Sequence, residues 1–269
     1  MSRKASRTLI NRHHQLVKQH RKSIAEGDKV VESVIAEELS KLGGLEQYQQ
    51  ASLQGQSIDR GGDTSKILLE WLPIRSIKKL SHKPRMLEVG SLSTHNTCST
   101  SGIFDMVHID LKSQEPGIVE QDFMHRPVPN KPSDKFDIIS LSLVLNFIPD
   151  AEDRGRMLLR TILFLRQNFA TEQVATDLLF PSLFLVLPRS CVDNSRYFTE
   201  SRLESLMESL GYSLTRSKKT QKLSYSLWVR AKTASAAALH FPKLEVNPGR
   251  TRNNFSVTLI GSAPAPMEI

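Results

Sequence analysis

The sequence predicts an α/β protein whose sheet is mainly parallel, ends in an antiparallel hairpin and follows a small helical region. Three observations predict it. Short apolar runs that end in an acid or a glycine recur in order: M-L-E-V-G (Met86 to Gly90), V-H-I-D (Val107 to Asp110) and V-E-Q-D-F (Val119 to Phe123). Longer apolar runs, F-D-I-I-S-L-S-L-V-L from Phe136 and S-L-F-L-V-L from Ser182, alternate with amphipathic stretches, as buried parallel strands do between their crossover helices. The last two alternating stretches, Tyr225 to Arg230 and Phe255 to Ile260, have no helical pattern between them, so they are expected to pair antiparallel.

The elements follow in order. Residues 1–23 are a basic arm. Arg3, Lys4, Arg7, Arg12, Lys18, Arg21 and Lys22 supply +7 of the chain's net +8, with no acid among them. Such an arm can neutralise phosphates or act as a nuclear or nucleolar address, and nucleus and nucleolus are the expected compartments. Residues 24–80 are a helical region. Val31, Val34, Ile35, Leu39 and Leu42 have helical spacing, and Gly43-Gly44 ends that helix. Leu45 to Leu53 suggests a second short helix. D-R-G-G-D-T-S (Asp59 to Ser65) leads into a third, capped by Asp63, Thr64 or Ser65 and carrying Ile67, Leu68, Trp71 and Leu72. Residues 81–262 hold the sheet. Asp150 opens a helix with Met157, Leu158, Ile162 and Leu165 on its apolar face, and Thr199 or Ser201 caps another. Residues 263–269 are a tail.

Composition bounds the function. The chain has 269 residues, 24% charged and 39% hydrophobic, ordinary for a soluble domain with an appendage. Cys98 and Cys191 are far apart and in no C-x-x-C pattern, which argues against a disulfide scaffold or a zinc site and for a reducing compartment. No metal-ligand set is evident. The longest apolar run, Leu178 to Leu187, is interrupted by Pro181 and is too short to span a bilayer, so no membrane association is expected.

The candidate site lies where the acidic strand ends fall, because open parallel sheets bind ligands at the carboxyl ends of their strands. Gly90 permits a sharp turn and a close ligand approach. Asp110 follows about 20 residues later, the spacing at which an acid accepts hydrogen bonds from ribose hydroxyls. A dinucleotide site would need G-x-G-x-x-G, and Leu92 and His95 stand where further glycines would fall. A nicotinamide-dependent oxidoreductase is therefore disfavoured. A ribose ligand without a pyrophosphate fits better, and S-adenosylmethionine is one. Glu88 would serve its cationic end, Asp110 its ribose, and Asp122 with Phe123 the edge and face of its adenine. After the strand from Phe136, Asn146 is placed to meet the edge of an acceptor base and Phe147 its face. Parallel strands closed by an antiparallel hairpin are the plan of the Rossmann-like class I methyltransferases.

D-R-G-G-D-T-S-K-I-L-L-E-W-L, M-L-E-V-G-S-L-S, the E-Q-D-F run and S-L-V-L-N-F-I-P-D-A-E-D-R-G-R-M-L together resemble the fungal nucleolar methyltransferases that make 1-methyladenosine in large-subunit (25S) ribosomal RNA. The resemblance runs from about Gln50 to Ile260. It implies an S-adenosylmethionine site at Gly90 and Asp110 and an rRNA adenine as acceptor in the pre-ribosome. A monomer is expected. A related animal branch has a similar donor site but acts as a sensor of S-adenosylmethionine in nutrient signalling. A non-catalytic sensor or adaptor that binds a protein partner is thus the alternative.

Overall fold

The computed structural model describes residues 26–42, 62–113, 115–167, 179–230 and 240–259, with scattered positions between 8 and 24. The chain divides into two units: Met1–Gly62 with Ile148–Asp150, and Asp63–Phe147 with Ala151–Ile269. Residues 63–80, read from the sequence as part of the helical region, thus group with the sheet.

In the first unit, helix α1 spans Lys29–Lys41, and Asp28 caps it by accepting from the Val31 N–H at 3.0 Å. Of the expected apolar stripe, Ile35 is buried, whereas Val31 and Val34 are exposed. Gly43-Gly44, the helix expected over 45–53, the start of the Asp59 loop, most of the basic arm and the tail lie outside the described residues.

The second unit is built on a seven-stranded sheet of order β3-β2-β1-β4-β5-β7-β6. Its strands are β1 Arg85–Val89, β2 Asp105–Asp110, β3 Ile118–Glu120, β4 Ile138–Ser142, β5 Ser182–Pro188, β6 Tyr212–Lys219 and β7 Leu223–Arg230. β1 to β5 are mutually parallel, and β7 runs antiparallel to both β5 and β6. The strand order reverses between β1 and β4. At such a switch point the crossover loops leave in opposite directions and open a crevice at the strand ends. The central strand is apolar because both its faces are covered: Ile138, Ile139 and Leu141 have no exposed surface. Helices α2 (Ser65–Trp71) and α3 (Ile74–Ile77) contribute Leu68, Leu72 and Ile77 to a core shared with Met86, Phe184 and Leu227.

Helix α4 (Thr97–Thr100) follows β1. Helix α5 (Ala151–Phe164) follows β4 and buries Met157, Leu158 and Ile162. Helices α6 (Ser190–Asp193) and α7 (Glu200–Ser209) follow β5. Thr199 caps α7 by accepting from the Arg202 N–H at 3.2 Å, so the cap falls on the first of its two candidates.

Two strand expectations are corrected. The central strand is shorter than Phe136 to Leu145, because Leu143 has φ +58° and turns the chain out of the sheet after Ser142. The antiparallel hairpin is real, but the partner of β7 is β6, not Phe255 to Ile260. β6 is an edge strand with most of its side chains in solvent, so Y-S-L-T-R-S-K-K carries too thin an apolar pattern to be read as a strand. The segment 253–259 makes isolated bridges only, Ser195 with Asn253 and Phe241 with Leu259. It is held instead by α5, where Thr258 N–H donates to the Ala151 carbonyl at 3.0 Å.

Candidate functional site

The site forms at the carboxyl ends of β1, β2 and β4. Gly90 follows β1 with φ +71°, a left-handed conformation that glycine adopts without cost. Its N–H and that of Ser91 donate to the Ile109 carbonyl at 2.8 and 3.0 Å, which turns the chain sharply over the end of β2. A Cβ on Gly90 would stand 2.9 Å from Val144 Cγ2, so the loop after β4 closes on the glycine from the other side. That loop begins at the left-handed Leu143, whose N–H donates to the Val186 carbonyl at 2.9 Å. Strained backbone of this kind costs free energy and persists only where its surroundings fix it.

Glu88 and His108 are register partners on β1 and β2 and share one face of the sheet, and Asp110, two residues on, shares it too. Glu88 Oε2 accepts from Asn96 Nδ2 at 2.8 Å and lies 3.0 Å from His108 Nδ1. Asn96 in turn caps α4, its Oδ1 accepting from the Ser99 N–H at 3.0 Å. Asp110 Oδ1 accepts from the Lys112 N–H at 2.9 Å. Burial pushes the Asp110 carboxyl upward; the Lys112 N–H opposes that and the neighbouring Glu120 adds to it.

Asp122 follows β3. Its Oδ1 accepts from the Met124 N–H at 2.7 Å, and its Oδ2 lies 2.8 Å from Nδ1 of the exposed His125. The expected role of the Phe123 ring is corrected. The ring is 2% exposed and packs on Phe164 at 5.1 Å between centroids, so it belongs to the core and presents no face to a ligand. Its backbone N–H remains: among the described residues, no acceptor takes it.

Asn146 and Phe147 lie in a single 3₁₀ turn, Leu145–Phe147, directly after the β4 exit. Asn146 Oδ1 is buried and, among the described residues, has no hydrogen-bond partner. Buried acceptors are almost always satisfied, so an orphan at a strand end marks a place where a ligand donor fits. Arg154 of α5 fixes this turn. Its guanidinium donates from Nε to the Leu145 carbonyl at 3.1 Å and from NH1 to the Ser256 carbonyl at 2.6 Å, and it covers the Phe255 ring at 4.4 Å.

The structure thus brings Glu88, Gly90 and Asp110 together on adjacent strand ends, with the Asn146 turn across the switch point. The sequence reading missed His108 and Asn96, because a histidine inside an apolar run and an asparagine in a loop have no distinctive spacing. The end of the loop that leads into α2 is bound to the protein itself. Asp63 is spent on the protein: Oδ2 accepts from the Thr97 N–H at 2.7 Å and from the Thr97 hydroxyl, and Oδ1 accepts from the Ser65 N–H at 3.0 Å and from its hydroxyl at 2.6 Å. Burial would raise the Asp63 carboxyl, but these bonds outweigh it and hold it below the usual range. Thr64 Oγ1 meets Ser142 Oγ at 2.8 Å, so the same loop is bound to the end of β4. Cys98 and Cys191 are buried free thiols, both pushed up to about 12 chiefly by burial, and they offer no nucleophile at neutral pH.

Comparison with known proteins identifies the family. The family described as 25S rRNA (adenine(2142)-N(1))-methyltransferase, Bmt2, matches residues 33–257. The chain is 39% identical over 261 residues to the 25S rRNA (adenine(2142)-N(1))-methyltransferase of Saccharomyces cerevisiae, covering 95% of this chain and 73% of that one. It is 38% identical over 259 residues to the 25S rRNA adenine-N(1) methyltransferase of Schizosaccharomyces pombe, covering 94% of this chain and 90% of that one. The chain belongs to the family of 25S rRNA (adenine(2142)-N(1))-methyltransferases.

Proposed function

We propose that this protein transfers a methyl group from S-adenosylmethionine to ring nitrogen 1 of an adenine in 25S rRNA. Family membership supports the reaction and its RNA substrate. The arrangement of the strand ends supports the donor site. Gly90 leaves room that a Cβ would fill, Asp110 stands where ribose hydroxyls would donate, and Glu88 faces the cationic amino-acid end. Asp122 and the Phe123 N–H offer an acceptor and a donor to the adenine edge.

The observation that carries the acceptor side is the buried Asn146 Oδ1, which meets no partner among the described residues. Adenine's exocyclic amine neighbours ring nitrogen 1 and donates hydrogen bonds. An amine bound to Oδ1 would bring that nitrogen toward the methyl group, and Phe147 stands beside it to pack on the base. Ring nitrogen 1 already carries a lone pair, so no base has to remove a proton before attack. As the methyl transfers, the base becomes cationic and its amine a stronger donor. The bond to Oδ1 therefore strengthens toward the transition state, the condition for accelerating the step. Positioning of this kind supplies roughly 7–11 kcal/mol of a barrier. Ring nitrogen 1 lies on the pairing edge, so the target adenine must be unpaired or flipped out of its helix.

The test is methyl transfer. Protein, methyl-labelled S-adenosylmethionine and 25S rRNA lacking the modification are incubated, and the RNA is digested to nucleosides. The expected label is in 1-methyladenosine, and Gly90→Arg abolishes it. Donor binding by calorimetry without any label would replace this reading with that of a sensor or adaptor. The basic arm is assigned to nucleolar targeting or RNA contact, and imaging a fluorescent fusion with and without residues 1–23 tests the targeting role.

A further inference from the structure

We infer that His108 is a positioning residue for Glu88: with Asn96 it holds one carboxylate oxygen and leaves the other directed at the ammonium group of the methyl donor. The inference rests on the donor-site reading above.

Glu88 and His108 are register partners with side chains 17% and 7% exposed. Among the described residues, two side chains hydrogen-bond the Glu88 carboxylate and both meet Oε2: Asn96 Nδ2 donates at 2.8 Å, and His108 Nδ1 lies at 3.0 Å. A carboxylate only accepts, so the proton in the second contact is carried by His108 Nδ1. Neither donor is free to swing. The far side of the imidazole, Nε2, lies 3.3 Å from Ser99 Oγ, and Ser91 Oγ lies 3.1 Å from Nδ1. Asn96 Oδ1 accepts from the Ser99 N–H at 3.0 Å, which leaves the single Ser99 hydroxyl proton able to turn to Nε2.

The Glu88 carboxylate is thus clamped through one oxygen by two side chains that are themselves fixed. Among the described residues, nothing donates to Oε1. Two donors on Oε2 stop the carboxylate from rotating about its last bond, which sets the direction of Oε1 before any ligand arrives. An acceptor fixed in advance binds a cation without paying to order itself. Of the donor's parts, only its amino-acid end carries an ammonium group, so the clamp discriminates on that group and not on the adenosine.

The experiment uses two probes: S-adenosylhomocysteine, which has the ammonium, and 5′-methylthioadenosine, which has the adenosine without the amino acid. Binding to the full chain is measured by calorimetry. His108→Gln keeps a polar group near Ser99 but takes the donor away from Glu88. It is expected to weaken S-adenosylhomocysteine by about tenfold, the scale of one charge-assisted hydrogen bond, and to leave methylthioadenosine within about twofold. His108→Asn, whose amide N–H stands near the position of Nδ1, is expected to recover most of that loss. A general structural role for His108 would weaken both probes alike, and equal losses, or none, would overturn the assignment. Wild-type protein that binds neither probe would overturn the donor site itself, and the assignment with it.

Discussion

The carbonyl oxygen of Thr258 stands in the place that a Cβ on Gly155 would need, closer to it than real Cβ contacts come. The neighbouring residue, Arg154, donates to the Ser256 carbonyl of the same segment. Together they explain the D-R-G-R-M run as the seat of the C-terminal segment on α5. Gly155→Ala is expected to destabilise the protein by about 3 kcal/mol or more, because a backbone carbonyl cannot move aside as a side chain can. Urea unfolding checks it, and an unchanged midpoint would remove this contact from the account.

At Gly90, two costs are separable. An alanine there meets a left-handed φ of +71° and Val144 Cγ2 at 2.9 Å. Gly90→Ala is expected to lose about 1–2 kcal/mol from the backbone alone, and more from the contact. Val144→Ala in the same background should restore the contact share and leave the backbone share. A double-mutant cycle measures this as a coupling of about 0.5 kcal/mol or more. Strict additivity would show that the two loops do not meet as described.

Asp110 links stability to pH with a definite sign. Burial raises its pKa in the folded protein. Its stabilising contribution is therefore full at pH below its unfolded value and is lost as pH rises through the raised folded value. At neutral pH the ionised group costs stability, so Asp110→Asn should melt no lower than wild type. The same variant should bind S-adenosylmethionine at least about tenfold more weakly, through loss of a charged acceptor for the ribose. Wild-type donor affinity should fall as pH drops through the raised Asp110 value, and the variant should lose that dependence. Calorimetry across pH reads both.

Asn146→Ala removes a buried acceptor that has no partner among the described residues. Thermal stability should stay level or rise slightly, since no bond is broken and an unsatisfied group is removed. Donor affinity should stay within about twofold, while the methylation rate falls about 100-fold, the scale of one preorganised polar group. A variant that methylates at full rate would take Asn146 out of the acceptor site.

The sequence by itself determined the strands that carry the site. Apolar runs ending at Gly90 and Asp110 and the interior run through Leu141 are legible because a strand buried on both faces must be apolar along its length, and where it stops, polar residues begin. The expectation that the sheet closes antiparallel also held, but through β6 before β7 and not through the residues after it. The tertiary structure decided what depends on neighbours. β6 proved to be the hairpin partner because an edge strand needs no apolar face, so its pattern is faint. Phe123 went to the core because Phe164, some forty residues away in sequence, packs against it. His108 became a partner of Glu88 only through the β1–β2 register. The orphan state of Asn146 Oδ1 depends on which donors fail to reach it, and which groups fail to meet is a property of the folded arrangement that no local spacing encodes.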